Sequence, residues 1–386
     1  AQAYANAEAT KIVNDGSVNA TGTTVEFKNL ELGYYLVDTT LGTLCSLDTT
    51  NPDVTIKEKN EVPTNEKKVE EDSTGSYGEK NDADIGQTVN FKSTITAQAG
   101  AENYVFHDTM SAGLTYGNVT GITLNDATVD QENYTVVTTG LEEGCTFEVR
   151  FTQAFCNTLK ANDKIVISYT ATVNEKAVIG STGNPNTSKI SYGEGGKFES
   201  TPSETKTHTW EIDVYKYTMI KATEAGQADT EKALANAQFL LYKDVKVGDN
   251  TTRYYATATA VDVGYRFTAW TTEKNSATTF VTPDTGKFAI KGLDSDTYYL
   301  EETQAPAGYN TLKDSVKVVI DKDGKVTYGE ANTAANPDVR ILNNTGAELP
   351  STGGIGTTIF YIVGAVLVLG ASVLLVTKRR MKNDQQ

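Results

Sequence analysis

The chain has little of what most catalytic and many secreted folds are built from. Only two histidines occur in 386 residues, His107 and His208, so a catalytic triad or a His-rich metal centre has little to draw on. Three cysteines, Cys45, Cys145 and Cys156, cannot all pair within one chain, which excludes a disulfide framework. Cys145 and Cys156 stay open as either a pair or two separate reduced thiols. Positive charge is scarce as well: 34 Lys and Arg against 50 Asp and Glu give a net charge of -16. That balance argues against a nucleic-acid partner. No Gly-rich phosphate loop sits between a strand and a helix. Asp321-Lys322-Asp323-Gly324 lacks the further oxygen ligands of a calcium loop and reads as a hairpin turn. No cofactor and no metal ion is expected.

What is present is β-forming sequence. Hydrophobic residues at 38% suffice for packed cores, and 20 tyrosines against three methionines and two tryptophans suit a β-rich exported chain. Short alternating runs bounded by Gly, Asn and Asp read as strands of sandwiches. The reading is all-β: tandem Ig-like sandwiches with a C-terminal transmembrane helix. Residues 1–61 read as the back part of a first domain whose start lies upstream. Residues 62–205 form a second domain, with alternation in Phe147-Val149-Phe151 and Ile165-Ile167-Tyr169-Ala171-Val173. Residues 206–347 form a third, and residues 348–386 a tail. A faint repeat links the first and third: Lys28-Asn29-Leu30 before Tyr34-Tyr35-Leu36-Val37 echoes Lys291-Gly292-Leu293 before Tyr298-Tyr299-Leu300.

The tail has three parts in order. Leu349-Pro350-Ser351-Thr352-Gly353 precedes an uninterrupted apolar run from Thr357 to about Thr377, and Lys378-Arg379-Arg380 follows. As a helix the run spans roughly 30 Å, enough to cross a bilayer, with the basic end held in the cytoplasm. This arrangement resembles the cell-wall sorting signal of Gram-positive surface proteins. The resemblance implies that a sortase cuts between Thr352 and Gly353, passing the Thr carboxyl through a thioester to an amine.

Period-two reading exposes an oddity in the third domain. Trp210, Ile212, Val214 and Lys216 share one face, so a lysine points where a core belongs. Tyr298 to Tyr309 reads YYLEETQAPAGY, and a closing strand delivers Asn343. This resembles the E-box of Cna-B-type domains, in which a glutamate serves a Lys–Asn isopeptide bond. The resemblance assigns the amine to Lys216, the acid to Glu302 and the amide to Asn343. Burial would keep the amine neutral and nucleophilic, and would keep a carboxyl protonated for relay.

The second domain carries the same logic in another pattern. Pro63-Thr64-Asn65-Glu66-Lys67-Lys68-Val69 opens it, His107-Asp108-Thr109-Met110-Ser111-Ala112-Gly113-Leu114-Thr115-Tyr116 follows, and Asn184-Pro185-Asn186 comes late. These segments resemble the fimbrial isopeptide-forming domain of the Cna-A type. The implied acid is Asp108. Lys67 is preferred to Lys68 because it shares a strand face with Val69, and Asn186 is preferred to Asn184.

The domain order resembles backbone pilins of the Spa type, whose subunits are joined covalently. Such pilins offer an acceptor lysine shortly before the second domain. Register against Pro63 and Lys67 puts it at Lys59, with Lys57 as fallback. The resemblance implies a structural subunit rather than an enzyme, displayed on the cell wall after a transient stay in the plasma membrane. Implied partners are pilin-type and housekeeping sortases, identical subunits, peptidoglycan, accessory pilins and host surface ligands. The alternative is a monomeric wall-anchored adhesin on isopeptide-stabilised stalk domains.

Overall fold

A computed structural model describes residues 30–37, 43–47, 49, 50, 54 and 62–345, apart from 194, 195, 197 and 225. Lys57, Lys59, the pentapeptide Leu349 to Gly353 and the apolar run after it lie outside the described residues. Among the described residues no helix is long and apolar enough to cross a membrane. In the first block, β1 (Gly33–Val37) and β2 (Thr43–Leu47) pair antiparallel.

The second block is a sandwich of two sheets. Its strands are β3 (Thr64–Glu71), β4 (Ser76–Gly78), β5 (Lys80–Asp82), β6 (Thr88–Thr96), β7 (Val105–Met110), β8 (Leu114–Leu124), β9 (Ala127–Thr128), β10 (Tyr134–Val137), β11 (Phe147–Phe151), β12 (Lys164–Val173), β13 (Asn184–Tyr192), β14 (Phe198–Glu199) and β15 (Ser203–His208). One sheet runs β4-β3-β6-β12-β8-β9, and the other β10-β11-β7-β13-β15-β5 with β14 beside β13. The alternation in β12 is real burial: Ile165, Ile167, Tyr169, Ala171 and Val173 all face inward. β15 pairs with β13 and β5 as far as His208, so the chain leaves this sandwich at Thr209.

The third block is one twelve-stranded ladder that curls round its own core. It comprises β16 (Trp210–Ile220), β17 (Thr230–Ala233), β18 (Gln238–Val247), β19 (Asn250–Ala260), β20 (Tyr265–Thr271), β21 (Phe280–Val281), β22 (Lys287–Leu293), β23 (Thr297–Gln304), β24 (Val316–Ile320), β25 (Val326–Tyr328), β26 (Thr333–Ala334) and β27 (Val339–Leu342). The last strand lies parallel to the first, with Val214 opposite Val339 and Lys216 opposite Ile341. Antiparallel hairpins cannot produce that pairing, because parallel neighbours need a long crossover. Here nearly the whole domain is the crossover.

The two sandwiches meet through a defined joint. The Ile85 amide donates to Gly292 O at 3.0 Å. A Cβ on Gly292, whose φ is +96°, would lie 2.4 Å from Ile85 Cδ1, so this close approach needs glycine. Around it, Trp270 Nε1 donates to Asp84 at 2.7 Å, Asp294 N to Asp84 at 2.9 Å, and Ser295 Oγ to Asp82 at 2.8 Å.

Candidate functional site

Two clusters of buried polar groups stand out, one in each well-described sandwich. In the third block, β16 carries Trp210, Ile212, Val214 and Lys216 on its buried face, and Lys216 has no exposed surface. β23 brings Glu302 to it: Lys216 Nζ lies 2.9 Å from Glu302 Oε1. The residue after β27, Asn343, is fixed by its amide, which donates to Tyr217 O at 2.9 Å. Its side chain completes a triangle. Lys216 Nζ donates to Asn343 Oδ1, and Asn343 Nδ2 donates to Glu302 Oε1 at 3.1 Å. The second carboxylate oxygen accepts from Leu312 N at 2.8 Å, so the acid is held from outside the triangle. The Phe239 ring sits 5.4 Å from the amine. Desolvation pulls the Lys216 amine below the usual lysine range, against the opposing pull of Glu302.

In the second block the groups come from opposite sheets. Lys67 projects from β3, while Asp108 and Asn186 project from β7 and β13, and all three are buried. Lys67 Nζ is bonded to Asp108 Oδ2. Phe91 and Tyr169 flank the amine at 5.7 and 5.4 Å from their ring centres. Burial pulls Lys67 down to about 8 and pushes the Asp108 carboxyl up. Both shifts favour moving the shared proton from nitrogen to oxygen, which leaves a neutral amine beside a neutral acid. Asp108 Oδ1 and Asn186 Oδ1 are buried without a hydrogen-bond partner. Unpaired buried polar atoms are rare and costly, so they mark a site rather than a packed core.

Of the open alternatives, Lys68 is about two-fifths exposed and pairs with Glu66 at 3.0 Å. Asn184 is buried but spent on backbone: Val178 N donates to its Oδ1 at 2.8 Å, and its Nδ2 donates to Val178 O and Thr207 O. A Cβ on Gly113 would lie 2.1 Å from that Oδ1, so the Asn184 turn leaves room for glycine alone. Cys145 and Cys156 are both free thiols.

Sequence reasoning missed Tyr169. Its hydroxyl donates to Asp108 Oδ2 at 2.7 Å and accepts from Asn186 Nδ2 at 3.4 Å, joining acid to amide. The signal was available: a tyrosine on the buried face of an aliphatic strand must find its hydroxyl a partner.

Comparison with known proteins matches three stretches of the chain. The model described as Gram-positive pilin backbone subunit 2, Cna-B-like domain, matches residues 85–196. A prealbumin-like fold domain model matches residues 219–333, and an LPXTG cell wall anchor motif matches residues 341–383. The chain carries backbone-pilin domains and a wall anchor. The chain is 26% identical to the trypsin-resistant surface T6 protein of Streptococcus pyogenes, over 83% of this chain and 70% of that protein. It is 36% identical over 89 residues to the fimbrial subunit type 1 of Actinomyces viscosus, covering 22% of this chain and 16% of that protein. Among solved structures, the group B streptococcus pilus 2b backbone protein shares the fold, with a TM-score of 0.50 at 22% identity over 69% of this chain and 96% of that one. The anchor motif makes the chain a wall-anchored surface protein and a sortase substrate.

Proposed function

We propose that the chain is a repeating subunit of a sortase-assembled pilus whose domains are locked by two autocatalytic isopeptide bonds, Lys67–Asn186 and Lys216–Asn343. The observation that carries the reading is the buried triangle of Lys216, Glu302 and Asn343. A buried lysine and asparagine touching across 127 residues of sequence cost stability as a mere contact, and gain purpose as reactants.

The chemistry follows from the contacts. The neutral Lys216 amine attacks Asn343 Cγ, forming the N–C bond. Glu302 takes a proton from the attacking nitrogen and hands it to the amide nitrogen that Oε1 already faces. The C–NH2 bond breaks, ammonia leaves, and no oxidant is needed. Packing holds the partners at high effective concentration, which supplies the entropy a bimolecular reaction lacks. Asp108 serves Lys67 and Asn186 in the same way, with Tyr169 bridging the acid and the departing nitrogen.

The proposed domains are the two sandwiches, parted at Thr209 rather than between residues 205 and 206, preceded by residues 1–61 and followed by the sorting signal. Assembly joins the Thr352 carboxyl of one subunit to the Lys59 amine of the next. Such a head-to-tail joint is heterologous and does not close, so it builds a fibre. Lys67 and Lys216 are unsuited as acceptors because both are buried. Pilin-type and housekeeping sortases, peptidoglycan and accessory pilins are the proposed partners.

Two measurements test this. Intact mass of the purified chain should fall short of the encoded mass by two ammonias, and a full encoded mass rules out both bonds. In cells, Lys59→Ala should remove the detergent-resistant ladder from wall extracts and leave a wall-anchored monomer. Loss of polymer in Lys57→Ala instead moves the acceptor by two residues. A wild type with a single band makes the protein a solitary adhesin.

A further inference from the structure

On the face of the seven-stranded sheet turned away from Asp108 lies a second cluster that the proposed reaction does not use. β7 and β11 pair so that His107 lies opposite Glu148, both almost fully buried. His107 Nδ1 is 3.2 Å from Glu148 Oε1, 3.6 Å from Glu142 Oε2 and 3.8 Å from Cys145 Sγ. Nitrogen, sulfur and carboxylate oxygen therefore converge on one point. The other ring nitrogen, Nε2, is 2.8 Å from Ser191 Oγ on the neighbouring β13. We propose that His107, Cys145 and Glu148 bind a zinc ion whose fourth position is taken by water, with Glu142 at its rim.

Donor spacing supports the assignment. Bonds of about 2.0 Å to nitrogen or oxygen and about 2.3 Å to sulfur set neighbouring corners of a tetrahedron about 3.3 Å apart for N and O, and about 3.6 Å for N and S. The separations of Glu148 Oε1 and Cys145 Sγ from His107 Nδ1 straddle those values. The donor types select against calcium and magnesium, which take all-oxygen shells. Supporting groups are also in place. With metal on Nδ1, Nε2 carries the proton and donates to Ser191, which fixes the tautomer and the ring plane. Arg150 binds the far oxygen of Glu148 at 2.7 Å, and Lys189 binds Glu142 Oε1 at 2.8 Å. Glu148 Oε1 also accepts from Glu142 N at 3.0 Å, so the backbone and Arg150 together orient this carboxylate and one lone pair of Oε1 is left for the ion. Binding costs the Cys145 thiol its proton, released to solvent as the Zn–S bond forms.

The site would clip the segment before β11 onto β7, the strand that carries Asp108 on its other face. It revises the expectation of a metal-free chain. Two histidines could not announce such a centre, because three different residue types supply it.

The test uses the full chain in detergent, reduced and stripped of metal, titrated with cobalt(II) as a spectroscopic substitute for zinc. One equivalent should give the intense bands of a tetrahedral ion with a thiolate charge-transfer band, and zinc should displace it. Cys145→Ser should abolish the charge-transfer band, while Cys45→Ser/Cys156→Ser should keep it. Ser191→Ala should weaken zinc binding ~10-fold without removing the band. A wild type with no band, or a band that survives Cys145→Ser, overturns the proposal. Ammonia loss in the intact mass is independent of this result, so failure here leaves the isopeptide reading standing.

Discussion

Two lysines with no access to water are the costliest residues in this chain. An isolated ammonium in such a place costs several kcal/mol, and one carboxylate repays it only in part. Conversion to an amide removes the charge altogether. The penalty is measurable if the bond is prevented. In Asn186→Ala, Lys67 stays a free amine, with about 8 in the folded state against the ordinary 10.5. Between those values the unfolded chain binds more protons, so stability rises with pH. The gain should reach roughly 3 kcal/mol by pH 10.5, read from denaturant unfolding of the variant. Lys67→Met/Asn186→Ala should lack that rise, and an equal rise in both would clear Lys67 of responsibility. The acid can be probed by Glu302→Gln, which keeps the shape but removes the proton relay. Its mass should be higher by one retained ammonia, with Lys67–Asn186 unaffected.

At the scale of strands, the two proposed bonds would do different jobs. Lys216 and Asn343 sit on the first and last strands of one ladder, which lie side by side and parallel. Tension on the two ends of the domain shears that pair directly, and a covalent link between them takes the load. Closing a loop of 127 residues also restricts the unfolded chain, by about 5 kcal/mol on the chain-entropy relation used for disulfides. Glu302→Gln should therefore become sensitive to trypsin at temperatures the parent survives, and unchanged resistance would show that packing alone protects the domain. A Lys67–Asn186 bond would instead join the two sheets of the second sandwich, across its core. There β12 contributes Tyr169 between acid and amide. Tyr169→Phe should slow ammonia loss ~10-fold or more if the hydroxyl relays the proton, followed by mass spectrometry of freshly made protein. Formation at the parental rate would reduce Tyr169 to a packing residue.

For the whole molecule, the joint between sandwiches decides whether the subunit is a rod or a chain of beads. Asp82, Asp84 and Asp294 are buried there together, with Lys243 3.7 Å from Asp84 and 3.0 Å from Asp296. Burial beside two other carboxyls pushes Asp294 far up, so it stays protonated at neutral pH. Trp270 and the Asp294 amide both spend their donors on Asp84. Asp84→Ala strips these groups of their acceptor, a loss of the kind that costs about 1–3 kcal/mol for each buried donor. Small-angle scattering should then record a more flexible particle at unchanged fold content. A profile identical to the parent's would mean that Ile85 and Gly292 suffice to hold the joint.

Much of this protein was written locally and could be read locally. Alternation with period two marked β12 and β16, and with them Lys216 on an apolar face, because strand geometry depends on nearest neighbours alone. The tail is likewise a linear signal, since a sortase reads an extended peptide rather than a fold. Choosing Lys67 over Lys68 needed only strand parity, which sends successive side chains to opposite faces. Other assignments required distance in space. Asn186 and Asn184 share a face of β13, so parity could not separate them. In the fold their contacts differ: Asn184 Oδ1 accepts from Val178 N, while Asn186 Oδ1 is unpaired, which supports the proposed choice. The partners of Tyr169, and the trio of His107, Cys145 and Glu148, were invisible for the same reason. Their partners lie on other strands, and only the pairing of β7 with β11 and β13 brings them within bonding range. The joint at Ile85 and Gly292 belongs with them: a close approach between two domains leaves no periodicity in either.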